Sequence, residues 1–194
     1  MKARRLGLTL SILPRAFYLQ DTVIVAKKLL GKKIVRKIDG KTISGIITET
    51  EAYRHKDDPA SHAYRNMTVR NKAMFEEVGR AYVYFTYGMY YCFNVVARSP
   101  SSNAGAVLIR AIKPEKGIDI IVKNRKNAKY ANLTNGPAKI TQALQISKLH
   151  YGLDLTKKGD MFISEGIDHK KITASPRIGI KTATENKWNF KIDV

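Results

Sequence analysis

Residues 32–53 read KKIVRKIDGKTISGIITETEAY, and the fold turns on how this stretch is read. Two β-branched runs flank Asp39-Gly40, a pair suited to the left-handed backbone of a two-residue hairpin turn. The spacing predicts two antiparallel strands, the second reaching about Tyr53. Alternation along that second strand puts Glu49, Glu51 and Tyr53 on one face. Two carboxylates and a tyrosine are an odd ending for a strand that begins so apolar. A solvated, charged strand end is the common fate of such residues. A carboxylate near the core can instead act as a general base or stabilise a developing cation. Spacing alone leaves both readings open.

Outward from this hairpin, Asp21 is placed to cap a helix through VIVAKKLL, with Gly31 just past its end. DDPASHAYRN reads as a short helix or turn leading into a polar loop. NKAMFEE reads as a short helix stopped by Gly79. The segment YVYFTYGMYY (82–91) holds half of the chain's ten tyrosines. Gly88 marks a hairpin turn there, and CFNVVA forms the return strand. A loop, SPSSNAG, precedes a further strand, AVLIRAI. Pro114 is expected to open a helix through GIDIIVKNRKN, and Gly136-Pro137 a second through AKITQALQI. DMFISEG, KKITASPRIGI and WNFKIDV read as short strand-like pieces joined by turns. There are no repeats and no linker. The expectation is one α+β domain spanning residues 1–194, with mixed α/β content on an antiparallel sheet.

Lys and Arg number 35 against 16 acids, a formal charge of +19. That excess points to a polyanionic partner, and nucleic acid is favoured over an anionic membrane surface. The cations are spread along the whole chain, as in a folded domain with a positive face. Lys123, Arg125 and Lys126 read as a solvated helix face, some of it available to phosphates. NGPAK (135–139) opens a helix whose N-terminus could meet a phosphate, a weak signal by itself. Cys92, the single cysteine, reads as a small buried hydrophobe. His55, His62, His150 and His169 lack zinc spacing, so neither a metal nor a cofactor is expected. MKARRLGLTLSIL resembles a weak signal peptide, but Pro14 and Arg15 interrupt it and no cleavage site follows. It is too short to span a bilayer, and a cytoplasmic protein without membrane association is expected.

Three polar residues stand out. His62 in PASHAY reads first as a hydrogen-bonded structural histidine. Arg110 interrupts the apolar strand LIRAI, and a buried guanidinium needs an anionic or carbonyl partner. Asn94 interrupts CFNVV in the same way. Together they suggest a polar pocket set into an apolar sheet. The tyrosines could pack within the core or stack on a ligand.

ETEAY, ASHAY, RNKAMF, YVYFTYGMYYCFN, LIRAI, NGPAKITQAL and PRIGI occur in order. Taken together, over roughly residues 14–190, the set resembles the alkyladenine (3-methyladenine) DNA glycosylases of the mammalian type, which bacteria also carry. The resemblance implies a compact domain on a curved antiparallel sheet, flanked by helices, with a β-hairpin protruding into the DNA minor groove. It implies a monofunctional enzyme of base excision repair, acting on double-stranded DNA that contains damaged purines, and a monomer is expected. The lesions implied are 3-methyladenine and 7-methylguanine, with hypoxanthine and ethenoadenine as further candidates. Such an enzyme flips the nucleotide out of the stack before hydrolysing its glycosidic bond. Carried over by motif, Glu51 is the general base for the attacking water and Arg110 helps to hold that water. A main-chain carbonyl of RIGI (177–180) helps as well. Tyr53, His62 and Tyr84 wall the base pocket, Asn94 crowds the exocyclic amine of normal guanine, and Tyr87 is the wedge that fills the vacated stack.

The chain departs from the family pattern near its end. Lys187 stands where proline is usual, Asn189 where arginine is common, and many relatives continue beyond KWNFKIDV. These changes are expected to touch C-terminal packing or a DNA contact and to leave the pocket alone. Two rival readings remain at this point. One is a non-enzymatic nucleic-acid-binding module that uses the tyrosines as a stacking platform. The other is a bifunctional glycosylase/lyase with a lysine nucleophile.

Overall fold

The Asp39-Gly40 hairpin forms as its sequence predicts, in a computed structural model that describes residues 11–194. Residues 1–10, and most of the signal-like N-terminus with them, lie outside the described residues. Strands β1 (Lys33–Ile38) and β2 (Lys41–Tyr53) pair antiparallel, with Ile38 opposite Lys41. Asp39 and Gly40 both take positive φ, 48° and 73°. That backbone matches the twist of the flanking strands.

Among the described residues, six more strands complete a curled antiparallel half-barrel: β3 (Ala81–Thr86), β4 (Tyr90–Val96), β5 (Ala106–Lys116), β6 (Met161–Ser164), β7 (Thr173–Ser175) and β8 (Asn189–Lys191). The main path runs β3-β4-β5-β2-β1-β6, with β8 added to β2 and β7 to β8. β2 is the longest strand, and its two edges are used differently. β5 follows one edge from Ser44 to Tyr53. The other edge is taken by β1 as far as Ile46 and then by β8 opposite Glu49, Thr50 and Glu51. Register shifts on either side of Glu49 disturb the ladder with β5. Such irregularities bend a strand and re-aim its side chains.

Among the described residues, four helices cover the sheet: α1 (Arg15–Tyr18), α2 (Thr22–Leu29), α3 (Ile118–Asn124) and α4 (Pro137–Ala143). The Asp21 carboxylate accepts from the Val23 and Ile24 amides and so caps α2. α2 lays Val25, Ala26 and Leu29 onto β2 and β5, while α4 packs on β4 and β5. Tyr18, Tyr82, Phe93 and Phe190 are the largest fully buried side chains of the core. The α+β class with an antiparallel sheet is therefore observed, and the β3–β4 hairpin stands out from the body.

The structure corrects one element. Pro114 does not open a helix. β5 runs through it to Lys116, with Pro114 opposite Gly45, next to a register shift where its missing N–H breaks no regular ladder. The chain turns only at Gly117 (φ 69°), where a side chain would also collide with the Thr42 carbonyl, and α3 starts after it. The DDPASHAYRN segment is a series of turns rather than a helix, and KAMF is a single 3₁₀ turn.

Candidate active site

Glu51 is completely buried, and both of its carboxylate oxygens are occupied. Oε1 accepts from the Ile178 amide (2.7 Å) and from Asn189 Nδ2 (3.0 Å). Oε2 accepts from the Tyr53 hydroxyl (2.8 Å) and, at a longer 3.4 Å, from Arg110 Nη1. Glu49 stands beside it. Its Oε1 takes Arg110 Nε at 3.1 Å and the same Asn189 amide at 2.9 Å. Two carboxylates thus share one guanidinium and one neutral amide. The strand alternation that placed Glu49, Glu51 and Tyr53 together is realised in space.

In front of this cluster lies a cavity of about 410 Å³, within the range of small-molecule sites. Tyr53, His62, Tyr84, Asn94, Arg110 and Tyr87 all line it. Glu51 lies directly behind Tyr53 and Arg110. His62 meets Tyr84 edge to face, with ring centroids 4.7 Å apart, and its Nδ1 pairs with the Tyr82 hydroxyl at 2.9 Å. Desolvation against this wall, and then the nearby Arg70 cation, lower the imidazole's affinity for a second proton. Burial, and then the Glu51 charge, push the Tyr53 phenol far above its usual range, so it stays a hydrogen-bond donor. Asn94 is buried and donates its amide to the Tyr82 carbonyl at 3.0 Å. Tyr82, read from sequence as a structural contact, is both core and pocket wall.

Tyr87 sits in the β3–β4 turn with φ 51°, followed by Gly88 at 65°. Its side chain is 83% exposed, and Phe85 and Met89 are exposed beside it. A large apolar tip open to water marks a contact surface. Cys92 is buried as expected but also lines the cavity, where burial raises its thiol pKa.

Several participants escaped the sequence reading. Arg70 lies over the Tyr84 ring, 5.2 Å from its centroid. The RIGI segment, expected to offer a main-chain carbonyl, also contributes the Ile178 N–H to Glu51, and Ile178 to Ile180 line the cavity. Arg177 makes a fully buried two-point ion pair with Asp58 (2.6 and 2.7 Å) and lies 4.7 Å from the Tyr53 ring centroid. That guanidinium braces the tyrosine from behind. The largest correction concerns Asn189. Expected to leave the pocket alone, it is buried and bonded to both acids. Its partners lie 138 and 140 residues away in the chain, so only the β2–β8 register brings them together. Among the described residues, no group of three or more His, Cys, Asp or Glu side chains is placed to hold a metal ion. No described helix is long and apolar enough to cross a membrane.

Comparison with known proteins matches residues 16–194 to the family model described as Methylpurine-DNA glycosylase (MPG). A relative from Carboxydothermus hydrogenoformans is 48% identical over 181 residues, covering 92% of this chain and 94% of its own. One from Prosthecochloris aestuarii is 46% identical over 177 residues, covering 90% and 84%. One from Clostridium botulinum is 45% identical over 193 residues, covering 93% and 95%. All three carry the name "Putative 3-methyladenine DNA glycosylase". With an aromatic-walled pocket backed by a held carboxylate, and similarity over nearly its whole length, the chain belongs to the methylpurine-DNA glycosylase family.

Proposed function

We propose that this glycosylase is monofunctional and removes alkylated purines from duplex DNA with a water activated by Glu51. The observation that carries the reading is the placement of Glu51. Its carboxylate is anchored through Oε1, and its Oε2 accepts from Tyr53 and Arg110, two residues that line the aromatic pocket. The 3.4 Å Arg110 contact is long for a charge-assisted hydrogen bond. Oε2 is therefore the oxygen with room to take a water, and Arg110 can hold the same water from the other side.

In the proposed reaction, the flipped purine enters between Tyr53 and the His62–Tyr84 wall. Aromatic faces favour a cationic alkylpurine, and a neutral His62 adds no repulsion. As the glycosidic bond lengthens, positive charge grows on the sugar, and the Glu51 anion opposes it. The water transfers a proton to Oε2 while its oxygen bonds C1′. The electron pair of the C1′–N bond leaves with the base. An N3- or N7-alkylated purine departs neutral and needs no general acid. The products are the free base and an abasic site in an unbroken strand.

Tyr87 fills the gap left in the stack, and Asn94 crowds the exocyclic amine of ordinary guanine. The preferred lesions are 3-methyladenine and 7-methylguanine, with hypoxanthine and ethenoadenine as further candidates. The protein works as a monomer, a single domain over 1–194, in the cytoplasm at the nucleoid. The test is release of 3-methyladenine or 7-methylguanine from methylated duplex DNA. Loss of a general base lowers the rate by about 10²- to 10⁴-fold, and the Glu51→Gln variant should show that loss. Full activity in that variant would rule out the mechanism.

A further inference from the structure

We propose that Asn189 is a positioning residue for Glu51: its amide keeps the carboxylate ionised and turns Oε2 toward the pocket. The inference rests on the reading of Glu51 as general base. Asn189 opens β8 directly opposite Glu51 in the β2–β8 ladder and opposite Ser175 in the β7–β8 ladder. The Ser175 hydroxyl lies 3.3 Å from Asn189 Oδ1 as its donor. With the amide oxygen so engaged, Nδ2 faces the acids and donates to Glu49 (2.9 Å) and Glu51 (3.0 Å). The opposite amide orientation would aim an acceptor at two anions. Both Nδ2 hydrogens are therefore spent on carboxylate oxygens.

Charge balance shows why this matters. Two acids at the back of the pocket share the single guanidinium of Arg110. Arg177, a further buried cation, is consumed by Asp58. The other titratable neighbours are Tyr53 on β2 and Cys92 on β4, both held protonated by burial, and Lys191 on β8, which stands opposite Glu49 without an ion pair to it among the described residues. Asn189 thus supplies neutral donors where, among the described residues, no second cation is paired with the acids. Hydrogen bonds to the charged form of a buried acid favour that form. Together with the Ile178 amide, Asn189 also fixes Oε1, which leaves Oε2 as the working oxygen.

The test compares wild type, Asn189→Leu and Glu51→Gln in single-turnover release of 7-methylguanine across pH 5 to 9. This base is already cationic, so protonation of the leaving group does not shape the profile. His62 is present in all three proteins, so differences between profiles do not arise from it. The expected result for Asn189→Leu is an acid limb moved up by about one pH unit, hence roughly tenfold slower release below it. The rate should recover toward wild type at high pH, with affinity for abasic duplex little changed. An acid limb in the wild-type position, whether the rate is unchanged or uniformly lower, would overturn the proposal. If Asn189→Leu does not fold, Asn189→Ala carries the same test with a smaller displacement, because water can enter and replace some of the donors. Wild-type release by Glu51→Gln would remove the underlying reading itself. An inert Glu51→Gln beside an undisplaced Asn189→Leu profile would sink this inference alone.

Discussion

Tyr53 joins two tasks in one side chain. Its ring lines the pocket, and its hydroxyl donates to Glu51 Oε2 at 2.8 Å. Replacing it with Phe keeps the ring and removes the donor. A hydrogen bond to a charged group contributes about 1.5–3 kcal/mol. Tyr53→Phe should therefore slow single-turnover release by about tenfold or more while lesion binding changes little. A large loss of binding at an unchanged rate would assign Tyr53 to stacking alone. At this scale much was legible in the chain. An arginine inside LIRAI and an asparagine inside CFNVV signalled polar groups that a core would not accept unpaired. Asn189 stands out in the sequence only as a departure from the family's arginine, because KWNFKIDV reads as an ordinary short strand. Its importance comes from a register with β2 that no local pattern encodes.

Among the elements, hairpins were the most legible, because Asp39-Gly40 and Gly88 carry their turn chemistry in adjacent residues. Pro114 misled for a physical reason. Its preference for a helix start competes with its tolerance at strand irregularities, and the tertiary pairing with Gly45 decided. The β3–β4 hairpin also carries a prediction. Tyr87 is held at its tip in a left-handed conformation and is 83% exposed. Its side chain makes no hydrogen bond among the described residues, so Tyr87→Ser should leave the melting temperature within a few degrees of wild type. Affinity for DNA with an abasic site should fall about tenfold, as read by titration of labelled duplex. Unchanged affinity would remove the wedge role. The PRIGI loop contrasts with this open tip, since the buried Arg177–Asp58 pair fixes it against Tyr53.

Across the whole molecule, a net charge of +19 suits a DNA-binding protein but also makes the compact state repel itself. Acid-side anchors offset this. Asp154 accepts from Arg15 at 2.7 Å and from the Thr156 amide and hydroxyl at 3.0 and 2.6 Å. Burial raises its pKa, but these partners outweigh it and lower the carboxyl from 3.8 to about 2. A depressed carboxylate stabilises the fold above its unfolded value and loses that contribution as pH falls through the folded one. Asp154→Asn should therefore cost about 2 kcal/mol at pH 7 in denaturant unfolding. The gap to wild type should close as the pH approaches 2, and a constant gap would contradict the ion-pair account. The central claim concerns the buried acid behind the pocket. It is tested most directly by single-turnover release of 7-methylguanine from methylated duplex DNA by Glu51→Gln, with duplex binding measured in parallel. The predicted result is release slowed by about a hundredfold or more at preserved binding; release at the wild-type rate would contradict it.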